Sequence, residues 1–205
     1  GHLAASTFCD APSRVLCLGL GIGAVPRLLH AAYPGIQIEC AESNDAVIQV
    51  AHEYFGLSVH PNLVVHHARA ETFIDSHKRE PTYDLIYLDC YDSNGIPSAC
   101  ATPTFIRTLR ALLTRKGVLV ANLLPGRRHV EILVERIQAN LDSVWSIRCE
   151  RKSNITLLAT STAALDMTGV LERAQRLDEG ALIPIRTVAE LQRLRRLDGP
   201  INADL

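Results

Sequence analysis

The chain has 205 residues, 47% of them hydrophobic, and its 21 basic and 22 acidic residues give a net charge of −1. This length and hydrophobic content predict one sizeable globular domain and exclude a disordered or fibrous chain. The balanced charge gives no basic surface for nucleic acid or an anionic membrane, and no apolar run approaches the roughly 20 residues of a membrane-spanning helix. We therefore expect neither nucleic acid nor membrane as a partner.

The positions of the cysteines and histidines indicate the redox compartment of the protein and whether it binds a metal. The six cysteines form no C-x-x-C pair, which predicts a reducing compartment without disulfides, hence a cytoplasmic protein. His66 and His67 are adjacent, so on a strand they face opposite sides, and no other histidine spacing suits a metal. We expect no bound metal. The first residues lack the basic start and apolar stretch of a signal peptide, and 1–13 is expected to be an N-terminal extension or a cloning remnant.

Hydrophobic periodicity predicts alternating strands and helices over the first half of the chain. A glycine-containing turn, Pro34-Gly35 and Gly56 mark boundaries between them, and Asp45 is expected to cap a helix. The predicted strands are 15–20, 36–41, 63–67 and 83–89, and the predicted helices are 24–33, 45–55 and 70–76.

The second half continues the alternation and then breaks it. Helix 102–113, with Thr102-Pro103 as its start, strand 118–123 and helix 130–141 are followed by strands 144–149 and 155–160. Only ERKSN separates these last two strands, which is too short for a crossover helix, so we expect an antiparallel hairpin. From residue 165 onward the chain is predicted to form two helices around Pro184 with solvated charged faces.

The order of these elements predicts the fold class. We expect an α/β fold with a doubly wound, Rossmann-like sheet of about seven strands, mostly parallel with an antiparallel C-terminal strand, as in class I methyltransferase-type domains. A nucleoside-binding catalytic domain is expected at 14–163, and a helical segment packed on the same domain at 164–205.

A glycine-rich turn follows the first strand. Gly19, Gly21 and Gly23 in LGLGIGAV let the backbone approach a ligand closely, and the spacing also satisfies the dinucleotide pattern. A tight strand-to-helix turn without a ligand is the structural alternative. Glu42 ends the second strand, where a carboxylate can accept hydrogen bonds from both ribose hydroxyls, whereas Glu39 lies earlier in the strand. The turn and the terminal acid together favour nucleoside binding.

Two acids follow the fourth strand. Asp89 lies at a carboxyl end, where open α/β sheets bind ligands, and Asp92 follows three residues later. A carboxylate there can take a proton from an amine, and two carboxylates attract a polycation. The alternative is that Asp92 builds a turn with Asn94-Gly95. Tyr91 lies between the acids and either packs on an aliphatic substrate or packs within the loop.

Four stretches together resemble the spermidine synthase (polyamine aminopropyltransferase) family and its spermidine-synthase-like relatives. They are VLCLGLGIGAVPRLL, CAESNDAVIQVAHEYF, YDLIYLDCYDSNGIP and LLTRKGVLVANL. The resemblance implies that Asp89 is the base on the attacking amine, that Asp92 binds the polyamine and that Glu42 holds the ribose. The family usually has an aspartate where this chain has Ile22, and an acid contacting the adenine amine where this chain has Arg69, so Arg69 is expected beside the nucleoside.

Three functions remain open at this point. The first, which the retained D-x-x-D pattern of Asp89 and Asp92 favours, is aminopropyl transfer from decarboxylated S-adenosylmethionine to an amine. The second is methyl transfer from S-adenosylmethionine on the same fold. The third is a non-catalytic domain that serves as a binding or assembly partner. The expected donor is therefore S-adenosylmethionine or its decarboxylated form. The expected acceptor is a small-molecule amine or a protein, and a homodimer is left open.

Overall fold

The computed structural model describes residues 2–57, 62–77, 82–148, 154–162, 165–180 and 186–199. Within these ranges the chain forms eight α-helices, a short 3-10 helix and eight strands, which alternate over most of the chain. The helices are α1 (His2–Ser6), α2 (Ala24–Ala32), α3 (Asp45–Glu53), α4 (Ala70–Asp75), α5 (Pro103–Leu112), α6 (Val130–Asn140), α7 (Met167–Gly180) and α8 (Thr187–Leu191), with the 3-10 helix at Ser98–Ala101.

One sheet contains all the described strands. They are β1 (Arg14–Leu18), β2 (Gln37–Glu42), β3 (Leu63–His67), β4 (Tyr83–Leu88), β5 (Leu113–Leu123), β6 (Ser143–Arg148), β7 (Ile155–Thr160) and β8 (Leu194–Arg196). Their order is β3-β2-β1-β4-β5-β7-β6-β8, in which β1 to β5 pair in parallel and β7, β6 and β8 are antiparallel additions. The predicted class I methyltransferase architecture and its C-terminal hairpin are confirmed.

Three local predictions are wrong. The segment Leu194–Arg196, predicted to be helical, is a strand, β8, which pairs with the edge strand β6. Asn44, not Asp45, caps α3: its backbone is extended and its side-chain oxygen accepts the Ala46 N–H at 3.0 Å. β5 begins at Leu113, five residues earlier than predicted, because Leu113 pairs with Tyr83 before a register shift.

Two apolar layers cover the sheet. The α4, α5 and α6 side holds Phe73, Phe105 and Leu133, and the opposite side holds residues of α1, α2, α7 and α8. Part of the predicted N-terminal extension packs into that second layer, where Ala4 and Ala5 are fully buried. The assignment of 14–163 to a catalytic domain stays a prediction, as does that of 164–205 to a helical segment packed on it. Cys149, the hairpin turn and Pro184 lie outside the described residues.

The strand order also positions the candidate site. It reverses between β1 and β4, which is where open α/β sheets leave a crevice at the carboxyl ends of their strands. Backbone hydrogen bonds align the residues that follow these strands: Gly19 N–H donates to the Ala41 carbonyl and Asp89 N–H to the Leu18 carbonyl, both at 2.8 Å. The residues that leave β1, β2 and β4 therefore converge on one edge of the sheet.

The helices in the described part of the chain include none with the length and apolar character needed to cross a membrane.

Candidate active site

A cavity of about 560 Å³ opens at the carboxyl ends of β1, β2 and β4, within the size range of small-molecule sites. It brings together seven of the eight residues that the sequence predicts for the site. The lining residues are Gly19, Gly21, Ala41, Glu42, Ser43, Asn44, Val47, Arg69, Ala70, Glu71, Asp89, Cys90, Tyr91, Asp92, Pro97, Cys100 and Leu124.

The three glycines have different roles. Gly19 has φ +94°, and a Cβ there would collide with the Asp89 carbonyl group, so this position brings β1 and β4 into close approach. Gly21 has φ +52° and lines the open cavity. Gly23 does not line the cavity; it is the N-cap of α2 with φ 73°, and a Cβ there would lie 2.7 Å from the Leu57 side chain. Position 23 therefore requires glycine for its backbone conformation and for its packing against Leu57.

Glu42 is held by the backbone on both carboxylate oxygens. Oε2 accepts the Leu20 N–H at 3.0 Å and Oε1 accepts the Asn44 N–H at 2.9 Å. Oε1 also accepts the Ser43 hydroxyl in a long contact of 3.5 Å, which a ligand hydroxyl can replace, and Oε2 can accept a further hydrogen bond. The fixed group therefore suits two adjacent hydroxyls. Glu39, the competing acid, instead accepts from Tyr83 Oη at 3.1 Å and does not line this cavity.

Arg69 lies at the cavity, and the sequence missed its partner. Its Nε donates to Glu71 Oε1 at 2.6 Å, and this hydrogen bond and charge raise the pKa of the exposed guanidinium. The other carboxylate oxygen of Glu71 lies 4.0 Å from Cys100 Sγ. The pair presents donors and acceptors side by side on the wall formed by the start of α4.

Asp89 is exposed at the end of β4 and is oriented by two asparagines. Asn122 Nδ2 donates to Asp89 Oδ1 at 2.9 Å, and Asn154 Nδ2 donates to Asn122 Oδ1 at 3.1 Å. The chain of amides leaves the second oxygen of Asp89 with no protein donor among the described residues. The sequence points to Asp89 but misses both asparagines, which lie on β5 and just before β7; Asn122 falls within the LLTRKGVLVANL stretch.

Asp92 and Tyr91 line the cavity while holding its loop together. Asp92 Oδ1 accepts the N–H groups of Asn94 and Gly95 at 2.7 and 3.0 Å, which is the turn that the sequence left as an alternative. Tyr91 Oη donates to the Asn122 carbonyl at 2.9 Å and accepts the Leu124 N–H at 3.0 Å. Burial raises the pKa of Tyr91 to about 12, so the phenol stays protonated.

Two thiols also line the cavity. A hydrogen bond with Cys100, together with burial, holds the pKa of Cys90 well above its usual range. Since the thiolate is the nucleophilic form, Cys90 is unsuited to nucleophilic catalysis. The described cysteines, namely Cys9, Cys17, Cys40, Cys90 and Cys100, are free, and the described ranges hold no cluster of three or more side chains arranged for a metal.

Comparisons with known proteins give relatives of two kinds. No family model matches the chain. The chain is 36% identical over 121 residues to the polyamine aminopropyltransferase of Vibrio vulnificus (strain CMCP6), covering 58% of this chain and 40% of the relative. It is 30% identical over 189 residues to the eEF1A lysine and N-terminal methyltransferase of Bos taurus, covering 82% of this chain and 26% of the relative. The chain spans less than half the length of either relative.

The solved structures give the fold. Human methyltransferase-like protein 13, determined in complex with SAH, superposes with a TM-score of 0.76 at 24% identity, covering 90% of this chain and 92% of that one. The chain therefore has the class I methyltransferase fold, and its predicted resemblance to the spermidine synthase-like family is confirmed.

Proposed function

We propose that this chain transfers the methyl group of S-adenosylmethionine to an amine nitrogen held at Asp89. The donor supplies an electrophilic carbon bound to a sulfonium. The residues present fit such a nucleoside: Glu42 is fixed to accept the ribose hydroxyls, and Gly19 and Gly21 keep the neighbouring wall free of side chains. Arg69 and Glu71 offer donors and acceptors to the polar edge of a base.

The observation that carries the choice of methyl transfer is the electrostatics of the glycine loop. Within the described chain the N–H groups of Gly21 and Ile22 have no hydrogen-bond acceptor, and the first turn of α2 contains no acidic residue. Successive free N–H groups in a turn that leads into a helix favour an anion. S-adenosylmethionine has a carboxylate and its decarboxylated form does not, so this loop favours the methyl donor.

Asp89 supplies the proton chemistry. An amine attacks with its lone pair and must first lose the proton that it carries at neutral pH, and the free oxygen of Asp89 is placed to accept that proton. Asn122 holds the other oxygen, which fixes the direction of the carboxylate toward the cavity. Methyl transfer leaves a neutral thioether and an alkylated ammonium, while Asp89 holds the proton that it took from the attacking amine.

Aminopropyl transfer is the second candidate, because the cavity is predominantly acidic. Glu42, Glu71, Asp89 and Asp92 line it against the single cation Arg69. Such a wall favours a cationic donor and a cationic amine. The identity to the Vibrio vulnificus aminopropyltransferase supports the same candidate.

A transfer assay separates these candidates. The chain is incubated with S-adenosylmethionine or its decarboxylated form and with L-lysine or putrescine, and products are identified by mass. We expect a product heavier by one methyl group. Its rate of formation should fall at least a hundredfold in Asp89→Asn, in the range of general-base contributions, and stay unchanged in the control Asp75→Asn, an exposed acid at the end of α4. Aminopropyl products alone would replace the first candidate by the second. Unchanged turnover in Asp89→Asn would remove Asp89 as the base.

A further inference from the structure

We infer that the amine acceptor of this site also bears a carboxylate, which Arg127 and Arg128 receive at the cavity rim. The inference rests on the proposed transfer to an amine at Asp89 and adds the class of acceptor. It applies whichever alkyl group is transferred. It separates a zwitterionic acceptor from a diamine or polyamine, which carries only positive charge.

The loop that follows β5 is joined to the loop that carries Asp92. Gly95 forms a bridge with Arg128, and Ile96 N–H donates to the Arg128 carbonyl at 3.1 Å. The two backbones come so close that a Cβ on Gly95 would lie 2.8 Å from the Arg128 nitrogen. Because Asp92 N–H also donates to the Gly95 carbonyl at 2.9 Å, the arginine loop is fixed relative to the acids after β4.

His129 fixes the far end of the same loop. It has φ 66°, the left-handed conformation that residues other than glycine rarely adopt. Such a conformation persists only where the surroundings determine it, and such residues cluster at functional sites. Here His129 Nδ1 hydrogen bonds with the Ile96 carbonyl at 2.8 Å. The two arginines before it are therefore held at the site by contacts on both sides.

The guanidinium groups themselves are available. Arg127 and Arg128 are exposed, and within the described part of the chain neither side chain has a hydrogen bond or ion pair. Arg127 N–H donates to the carbonyl of Leu124, which lines the cavity, at 3.1 Å. Its charge reaches the Tyr91 phenol, where it opposes the rise in pKa that burial causes. Arg127 thus places an unpaired cation next to the cavity, and Arg128 follows it on the same fixed loop.

This arrangement is complementary to an amine with a nearby carboxylate. Asp89 attracts the ammonium end and takes its proton, while either guanidinium can bind a carboxylate through paired N–H groups. A diamine would place its second ammonium against these arginines, and like charges repel. Asp92 does not fully offset them, since it carries one negative charge against their two positive charges.

The test uses acceptors that differ only by the carboxylate. L-lysine is compared with cadaverine, and L-ornithine with putrescine, by kcat/KM at saturating donor. We expect the carboxylated member to be preferred by about tenfold, as for a charge-assisted contact. The ratio should fall toward one in Arg127→Gln/Arg128→Gln and stay at its original value in Arg115→Gln, an exposed arginine of β5. A second pair of acceptors, peptides in which lysine stands next to glutamate or next to glutamine, shows whether the carboxylate belongs to a free amino acid or to a peptide side chain.

The failures are distinguishable. If S-adenosylhomocysteine does not bind the chain in calorimetry, the proposed function fails first. If it binds and the wild-type chain shows no preference for the carboxylated member in either acceptor series, the inference is overturned while the proposed donor site stands. A preference that survives in the double arginine variant would also overturn it. Since the wild-type ratios already decide the acceptor class, misfolding of the double variant does not remove the test.

Discussion

Gly19→Ala is the most informative single change in the donor site. Gly19 has φ +94°, and the added Cβ would meet the Asp89 carbonyl oxygen and lie 2.8 Å from the Asp89 carbonyl carbon. The left-handed backbone costs an alanine about 1–2 kcal/mol. Overpacking against backbone, which cannot rotate away, costs a further 1–3 kcal/mol or so. We expect the free energy of unfolding to fall by about 2–5 kcal/mol.

Gly21→Ala is the matched control for this change. Gly21 has φ +52° in the same loop, but an added Cβ would meet no atom within 4 Å. Only the backbone cost applies, about 1–2 kcal/mol. The difference between the two variants therefore isolates the close approach of β1 to β4.

Urea unfolding followed by tryptophan fluorescence measures both variants. Trp145 is the single tryptophan of the chain and is 8% exposed on β6, so its emission reports loss of the core. Gly19→Ala should unfold at the lower urea concentration. It should also bind S-adenosylhomocysteine more weakly, because β1 and β4 must move apart at the cavity to relieve the clash of the added Cβ with the Asp89 carbonyl group. Equal stability of the two variants would refute the packing at Gly19.

Two further predictions concern the acid at β4 and the pH dependence of stability. Asn122→Ala removes the donor to Asp89 Oδ1 but keeps the backbone carbonyl that accepts from Tyr91. In steady-state assays kcat should therefore fall about tenfold, with the KM for the nucleoside donor unchanged. A tenfold rise in that KM would indicate a general loss of site structure instead. Burial raises the pKa of Cys9 to about 12, and its thiol donates to the Asp84 carbonyl at 3.2 Å. Its contribution to stability is therefore complete below the unfolded pKa near 9 and is lost toward pH 12, at about 1.4 kcal/mol per pH unit. Urea unfolding between pH 8 and 10.5 should show this slope reduced in Cys9→Ala, and an unchanged slope would contradict it.

The sheet and its covering helices could be predicted from the sequence because each has a strong local pattern. Leu63–His67 and Ile155–Thr160 are apolar runs bounded by turn signals, and their observed bounds equal the predicted ones. β8 could not be predicted in this way. Its LRR sequence pairs with β6 through backbone groups, as Arg196 does with Trp145, and that pairing depends on a distant edge strand.

The site residues also fall into two groups, those that the local sequence marks and those whose roles only the structure shows. Glu42 and Asp89 follow apolar strands, so their positions at strand ends mark them in the sequence. The roles of Asp92 and Tyr91 depend on which atoms their polar groups meet, and only the structure shows that both hold the loop. Asn122 reaches Asp89 across 33 residues of sequence, a contact that strand order creates and no local pattern reports.

Calorimetric titration with two nucleosides tests the central claim most directly, which is that this cavity binds an S-adenosyl donor through a loop suited to its carboxylate. S-adenosylhomocysteine and its decarboxylated counterpart differ only in that group. We expect the carboxylated nucleoside to bind about tenfold more tightly, the worth of a charge-assisted contact with the loop N–H groups. Tighter binding of the decarboxylated form would contradict methyl transfer, and binding of neither by the folded chain would contradict the donor site itself.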